Sequence, residues 1–185
     1  MYDIRAQLAT PAVRRAAAEM TDRERAALAA LVESMATILS EMQARDEDEL
    51  LDRERIGRLI AADMAFHQIL AWGSGNRWIH RILDGMQVFA RFFGAHRHRY
   101  DRATVRVIVE SHRRIVEALA AGDGEAAAAE LEHQLSFGRR AAGVDGVPVF
   151  SAARGPVPLH LPGVYRSYLS EIPEVKRVSD PPATQ

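Results

Sequence analysis

The chain has 185 residues, enough for one ordinary domain with a real core. Its formal net charge of -1 argues against a general polyanion binder. It has no cysteine, which removes disulfides, thiolate metal sites and thiol nucleophiles together.

The opening Met1-Tyr2-Asp3-Ile4-Arg5 lacks the apolar run of an export signal. No apolar stretch approaches the ~20 residues of a membrane span. A cytoplasmic protein without membrane contact is therefore expected. Residues 2–20 place Ile4, Leu8, Ala12, Ala16 and Met20 at helical spacing. Pro11 interrupts that ladder and predicts a kink or a restart, with Thr10 as N-cap and Pro11 at the first helical position. Thr21-Asp22-Arg23-Glu24 has the form of a capping box and starts a second helix. Its buried stripe is Leu28, Leu31, Val32, Met35, Leu39 and Met42. The acidic run Asp46-Glu47-Asp48-Glu49 reads as a solvated helix end or loop.

A third helix covers roughly residues 52–72 and stops at Gly73-Ser74-Gly75-Asn76. A fourth runs from about Arg77 to Phe93, with Trp78, Ile82, Met86, Phe89 and Phe93 on an apolar face. The fifth begins near Thr104 and carries Val105, Ile108, His112, Ile115, Val116 and Leu119. The sixth, capped by Asp123, runs to about Ala141 with Leu131, His133 and Leu135. Nothing before residue 143 reads as a strand, so the fold class is all-α, an antiparallel bundle of six helices over 1–142. Seven of the eight prolines lie from Pro148 onward, so 143–185 is an irregular Pro-rich extension. Phe150, Leu159, Leu161, Tyr165, Tyr168 and Leu169 give it apolar side chains able to dock on the bundle.

Asp63 and His67 stand four residues apart, on one face of the third helix. Leu59, Ile60, Phe66, Ile69 and Leu70 surround them, so the pair points into the bundle. A carboxylate that merely steadies an imidazole is the plain reading of such a pair. His112 and His133, on the two following helices, change it. Antiparallel helices can bring all four groups to one cavity. Three imidazoles and one carboxylate suit a borderline divalent ion such as zinc, nickel or ferrous iron, with positions left for water or substrate. The stretch Arg91–Arg106, with Arg97, Arg99 and Arg102, reads as a loop and helix face, because phosphate binding wants a broad basic surface.

At these residues the sequence resembles the FCD domain, the effector-binding domain of FadR-subfamily GntR-type bacterial regulators. The resemblance runs from Tyr2 to about Arg140. It is carried by Tyr2-Asp3-Ile4-Arg5, by Asp63-Met64-Ala65-Phe66-His67 with Gly75-Asn76, by His112 through Leu119 with Gly122-Asp123, and by Ala126 through His133. The ordered set is specific; no single piece is. The resemblance implies an all-helical bundle in which Asp63, His67, His112 and His133 hold a divalent transition metal. Zinc comes first, with nickel or iron as alternatives. It implies a small carboxylate effector completing the coordination, with Arg5 pairing with its oxygens, Asn76 as a further effector contact, and a homodimer as the assembly. Three departures stand beside it. The chain opens at the domain's first helix, so no DNA binding is expected of it alone. The family's Leu-Glu pair reads Leu8-Ala9, and the Pro-rich tail exceeds the usual domain end.

Two functions follow. One is a binding module in which metal and organic acid order the bundle and signal to a partner or fused domain. The alternative is a stand-alone metalloenzyme using the same Asp/His set on a small organic substrate. His96 and His98 are its loop-borne acid–base candidates. A structural dimer with a vestigial site ranks below both.

Overall fold

Five of the six helices open on a short oxygen-bearing side chain. The structure, a computed structural model, describes residues 2–44, 50–94 and 100–141. Its helices are α1 (Tyr2–Glu19), α2 (Asp22–Ala44), α3 (Arg53–Gly73), α4 (Arg77–Gly94), α5 (Arg102–Ala120) and α6 (Gly124–Ala141), with no strand among the described residues. The chain divides into units 1–147 and 148–185, and every described residue lies in the first. The expectations for the Pro-rich extension, for Asp46–Glu49 and for His96 and His98 fall outside the described residues.

The first four amides of a helix lack intrahelical partners, and each cap supplies one. At α2 the capping box forms as read: Thr21 N–H donates to Glu24 Oε2 at 2.8 Å, and Glu24 N–H donates to Thr21 Oγ1 at 3.3 Å. Asp52 accepts from Arg55 N–H, and Asp101 from Thr104 N–H, both at 2.8 Å. Asp123 accepts from Ala126 N–H at 2.9 Å. Asn76 Oδ1 accepts from the amides of Trp78 and Ile79, both at 3.1 Å. Two glycines with positive φ, Gly75 (68°) and Gly122 (71°), turn the chain out of α3 and α5.

Pro11 does not restart α1. The helix runs unbroken from Tyr2 to Glu19, and Thr10 is buried inside it rather than capping it. Pro11 and Gln7 both lie on the exposed side. The carbonyl that loses its donor at Pro11 therefore faces solvent, where water replaces the missing bond.

The core is assembled from one stripe per helix. It includes Val13 from α1, Leu28, Met35 and Ile38 from α2, Phe66 and Leu70 from α3, Ile115 and Leu119 from α5, and Leu131 from α6. On α2, Ile38 is fully buried, while Leu31 and Leu39 of the expected stripe are only partly covered. Arg25 ties the ends of two helices together. Its guanidinium donates to the Met20 carbonyl at 2.6 Å and to the Ala17 and Leu119 carbonyls at 3.3 Å. These are C-terminal carbonyls of α1 and α5, which carry partial negative charge. The apolar face expected on α4 splits. Leu83 is buried, but Trp78 is 72 % and Ile82 48 % exposed. No helix of the described residues is long and apolar enough to cross a membrane.

Two glycines make opposite predictions. A Cβ on Gly124 would stand 2.7 Å from the backbone oxygen of Arg14, so α1 and α6 touch there without room for a methyl group. Gly124→Ala is expected to cost about 1–3 kcal/mol through overpacking. Gly57 lies in α3 with nothing within 4 Å of such a Cβ, so Gly57→Ala is expected to stabilise by about 0.5–1 kcal/mol. Urea unfolding of both variants checks the two signs.

Candidate metal and effector site

Asp63 and His67 lie one turn apart on α3, with His67 Nε2 3.7 Å from Asp63 Oδ1. Leu59, Phe66 and Leu70 on the same helix are buried, which turns this face inward. On α5, Val105, Val109, Ile115 and Leu119 are buried at helical spacing, and His112 falls on that face. His112 is fully buried, and its Nε2 lies 3.3 Å from Asp63 Oδ1. One donor atom from each of Asp63, His67 and His112 lies within 4.8 Å of the other two. Phe66 meets both imidazoles edge-on, with its ring centroid 4.5 Å from that of His112 and 5.7 Å from that of His67.

Hydrogen bonding fixes which atoms are available. His112 Nδ1 lies 2.7 Å from the Ile108 carbonyl one turn back, so Nδ1 carries the proton and donates it there. Nε2 is left with a lone pair turned toward Asp63. Burial, the charge of Arg5 and the neighbouring His112 hold the His67 pKa well below the ordinary histidine value. His67 is therefore neutral at pH 7 and keeps a lone pair of its own. A carboxylate oxygen and two imidazole nitrogens thus converge as acceptors. That donor set, with one imidazole anchored through its far nitrogen to a backbone carbonyl, fits a divalent transition ion.

His133 does not join them. Its side chain is 58 % exposed on the outer side of α6, with Nδ1 3.8 Å from Glu130 Oε1. The next residue, Gln134, reaches the cluster instead. Its Nε2 lies 2.8 Å from His112 Nδ1 and 3.1 Å from His112 Nε2. The amide thus lies against the imidazole ring, closer to Nδ1 than to Nε2. Gln134 Oε1 is buried with no hydrogen-bond partner among the described residues. The sequence holds a signal for this exchange. Each helical step turns about 100°, so counting from buried Leu131 and Leu135 places 133 on the far side and 134 at the edge of the buried face.

Helix α1 closes the site. Arg5, Ala9 and Val13 join His67, Leu70 and Leu83 around a cavity of about 10 Å³, room for about one water. Asn76 is not among the residues lining it. The Asn76 side-chain oxygen is engaged in capping α4.

Glu130, one turn before Gln134, clamps α6 to α5 through Arg114 at 2.9 Å. Burial pushes its pKa up, but the hydrogen bond and charge of Arg114, aided by Ser111 and His133, outweigh that and hold it below the ordinary value. A carboxylate whose folded pKa is depressed stabilises fully above its unfolded value of about 4.3, and loses that contribution as pH falls through the folded value. Glu130→Gln is therefore expected to be destabilising at pH 7, and the gap to the parent should shrink on acidification below about 4.3. Urea titrations of both proteins across pH 3 to 7 measure it; a gap that widens in acid contradicts the clamp.

The family model described as FCD domain matches residues 1–137. The solved structure of E. coli McbR/YncC is similar in fold, with a TM-score of 0.59 and 16% sequence identity over 77% of this chain and 62% of that chain. The chain thus spans less than two thirds of that protein's length. No curated protein matches it. Asp63, His67, His112 and Gln134 all fall within the matched residues, and the chain belongs to the FCD domain family, the effector-binding domain of GntR-type regulators.

Proposed function

We propose that this domain binds a small carboxylate in a metal-dependent way, and that its helices respond to the bound pair. The observation that carries this reading is the convergence of Asp63, His67 and His112 beside a cavity that Arg5 also lines. A divalent ion held by these three side chains would supply positive charge and open positions for an anion's oxygen. Arg5 offers a planar pair of donors to the remaining oxygen. The effector is accordingly an organic acid, with zinc, nickel or iron as the ion. The cavity of about 10 Å³ is smaller than any such acid. Entry of the ligand must therefore move α1 or its side chains, and a state that binds the acid better is thereby favoured. A homodimer belongs to the same reading, supported by the exposed apolar pair Trp78 and Ile82 on α4.

A second reading has one specific observation behind it. Two imidazoles and one carboxylate also form the donor set of non-heme ferrous oxygenases, so a metalloenzyme acting on a small organic substrate stays in view. The cavity lining weighs against it, because among the described residues Arg5 and His67 are its only ionisable side chains. Oxygen uptake by the iron-loaded protein with a small acid present would favour it.

Protein prepared without chelator is expected to carry about one divalent transition ion per chain, and the double variant His67→Ala, His112→Ala to carry almost none. Citrate, lactate and gluconate serve as probe acids. A probe that binds the loaded fold adds about 2.7 kcal/mol of stability at a hundredfold excess over its dissociation constant, and much less after chelation. Thermal shifts of loaded and chelated protein measure this. Equal stabilisation of both forms removes the metal from the ligand site, and full metal content in the double variant removes it from these residues.

A further inference from the structure

The walls of the cavity beside His67 are unevenly built. Among the described residues, Arg5 and His67 are the only lining side chains that carry a nitrogen or oxygen atom. The other walls are aliphatic: Val13 on α1, Leu70 on α3, Leu83 on α4 and Leu131 on α6, together with three alanines. All of these residues lie inside helices, where backbone donors and acceptors pair along the helix and are not offered to a ligand. Opening the cavity along α1 adds no polar group, because one turn further on the buried residues are Ala16 and Ala17. The Thr10 hydroxyl is buried on the same helix without a hydrogen-bond partner among the described residues, but Thr10 is not part of the lining. A hydroxyl or a second carboxylate on the body of a bound acid would therefore be buried with nothing to meet it.

We infer that this cavity takes a short monocarboxylate with a hydrocarbon body, and that it discriminates against acids bearing hydroxyls or a second carboxylate beyond carbon 2. This rests on the reading of the cavity as an organic-acid site and names the class of acid. The carboxylate lies at the end formed by Arg5 and His67, where the guanidinium offers its pair of donors. The alkyl chain runs among Val13, Leu70, Leu83 and Leu131, and the small cavity, about 10 Å³, keeps that chain short. A hydroxyl on carbon 2 is tolerated because it stays at the polar end with the carboxylate. Lactate is thus admitted, whereas citrate and gluconate carry polar groups into the aliphatic part and bind poorly.

The test is calorimetric titration of the full chain at pH 7, both Zn²⁺-loaded and chelated, with two series of acids. Acetate, propanoate, butanoate and pentanoate vary the alkyl length. 3-Hydroxybutanoate, succinate and gluconate add polar groups. Affinity is expected to rise about fourfold per methylene until the space is filled. 3-Hydroxybutanoate should bind about tenfold or more weakly than butanoate, and succinate more weakly still. Val13→Ala removes two methyl groups from the wall, so the best chain length should move one carbon longer. Leu83→Val enlarges the same space from α4 and carries this arm if Val13→Ala does not fold. 3-Hydroxybutanoate, succinate or gluconate binding as tightly as butanoate would overturn the inference and leave the acid-binding reading standing. An unmoved length optimum in a folded wall variant would also overturn it. A preference for butanoate over 3-hydroxybutanoate that survives chelation supports the inference while removing the metal from the reading. If butan-1-ol binds as tightly as butanoate, or if no acid binds in either form, the inference and the acid-binding reading fall together.

Discussion

Lone pairs gathered in an apolar interior repel one another and have lost the water that would solvate them. Asp63 brings a carboxylate, and His67 and His112 bring imidazole nitrogens, into one cluster flanked by Phe66 and Leu70. Burial, the charge of Arg5 and the neighbouring His112 together discourage charge on His67. Such a group is stable in a fold only beside positive charge, a shared proton or a hydrogen-bond donor. Arg5 on α1 supplies positive charge, which acts on His67. On α5 the Ile108 carbonyl accepts from His112 Nδ1–H and orients that ring. From α6, the Gln134 amide nitrogen lies against the His112 ring.

The fold follows from elements that are largely visible in the sequence. The capping box at Thr21 and the cap at Asp123 fix helix starts through bonds that reach only three residues, so the local pattern suffices to find them. The Asp63/His67 spacing works for the same reason: residues four apart on a helix share a face whatever surrounds it. Choices that depend on tertiary context were not legible. Pro11 signals a break, yet it costs little on the solvent side of α1. Trp78 and Ile82 sit on an apolar face of α4, but no pattern within one helix says whether a neighbour covers that face.

The sharpest case is the choice between His133 and Gln134. Histidine is the better ligand by chemistry, and the family resemblance pointed to His133 as well. One step along α6 turns a side chain by about 100°, and that rotation sends His133 outward to Glu130 and Gln134 inward to His112. The buried spacing of Ala127, Leu131 and Leu135 contains this information. It outranks residue type, because a long helix packed along its whole length cannot rotate locally to favour a better ligand without exposing that stripe.

On the proposed reading, the same small cavity explains how binding becomes a signal: α1 lines it through Arg5, Ala9 and Val13, and α1 also touches α6 closely at Gly124. The most direct measurement of the central claim is anomalous diffraction from crystals of the chain grown with a divalent transition ion, recorded at that ion's absorption edge. The account predicts one strong peak among Asp63, His67 and His112, with His133 outside. A peak that includes His133, or no peak at the three residues while the ion binds elsewhere, would contradict it.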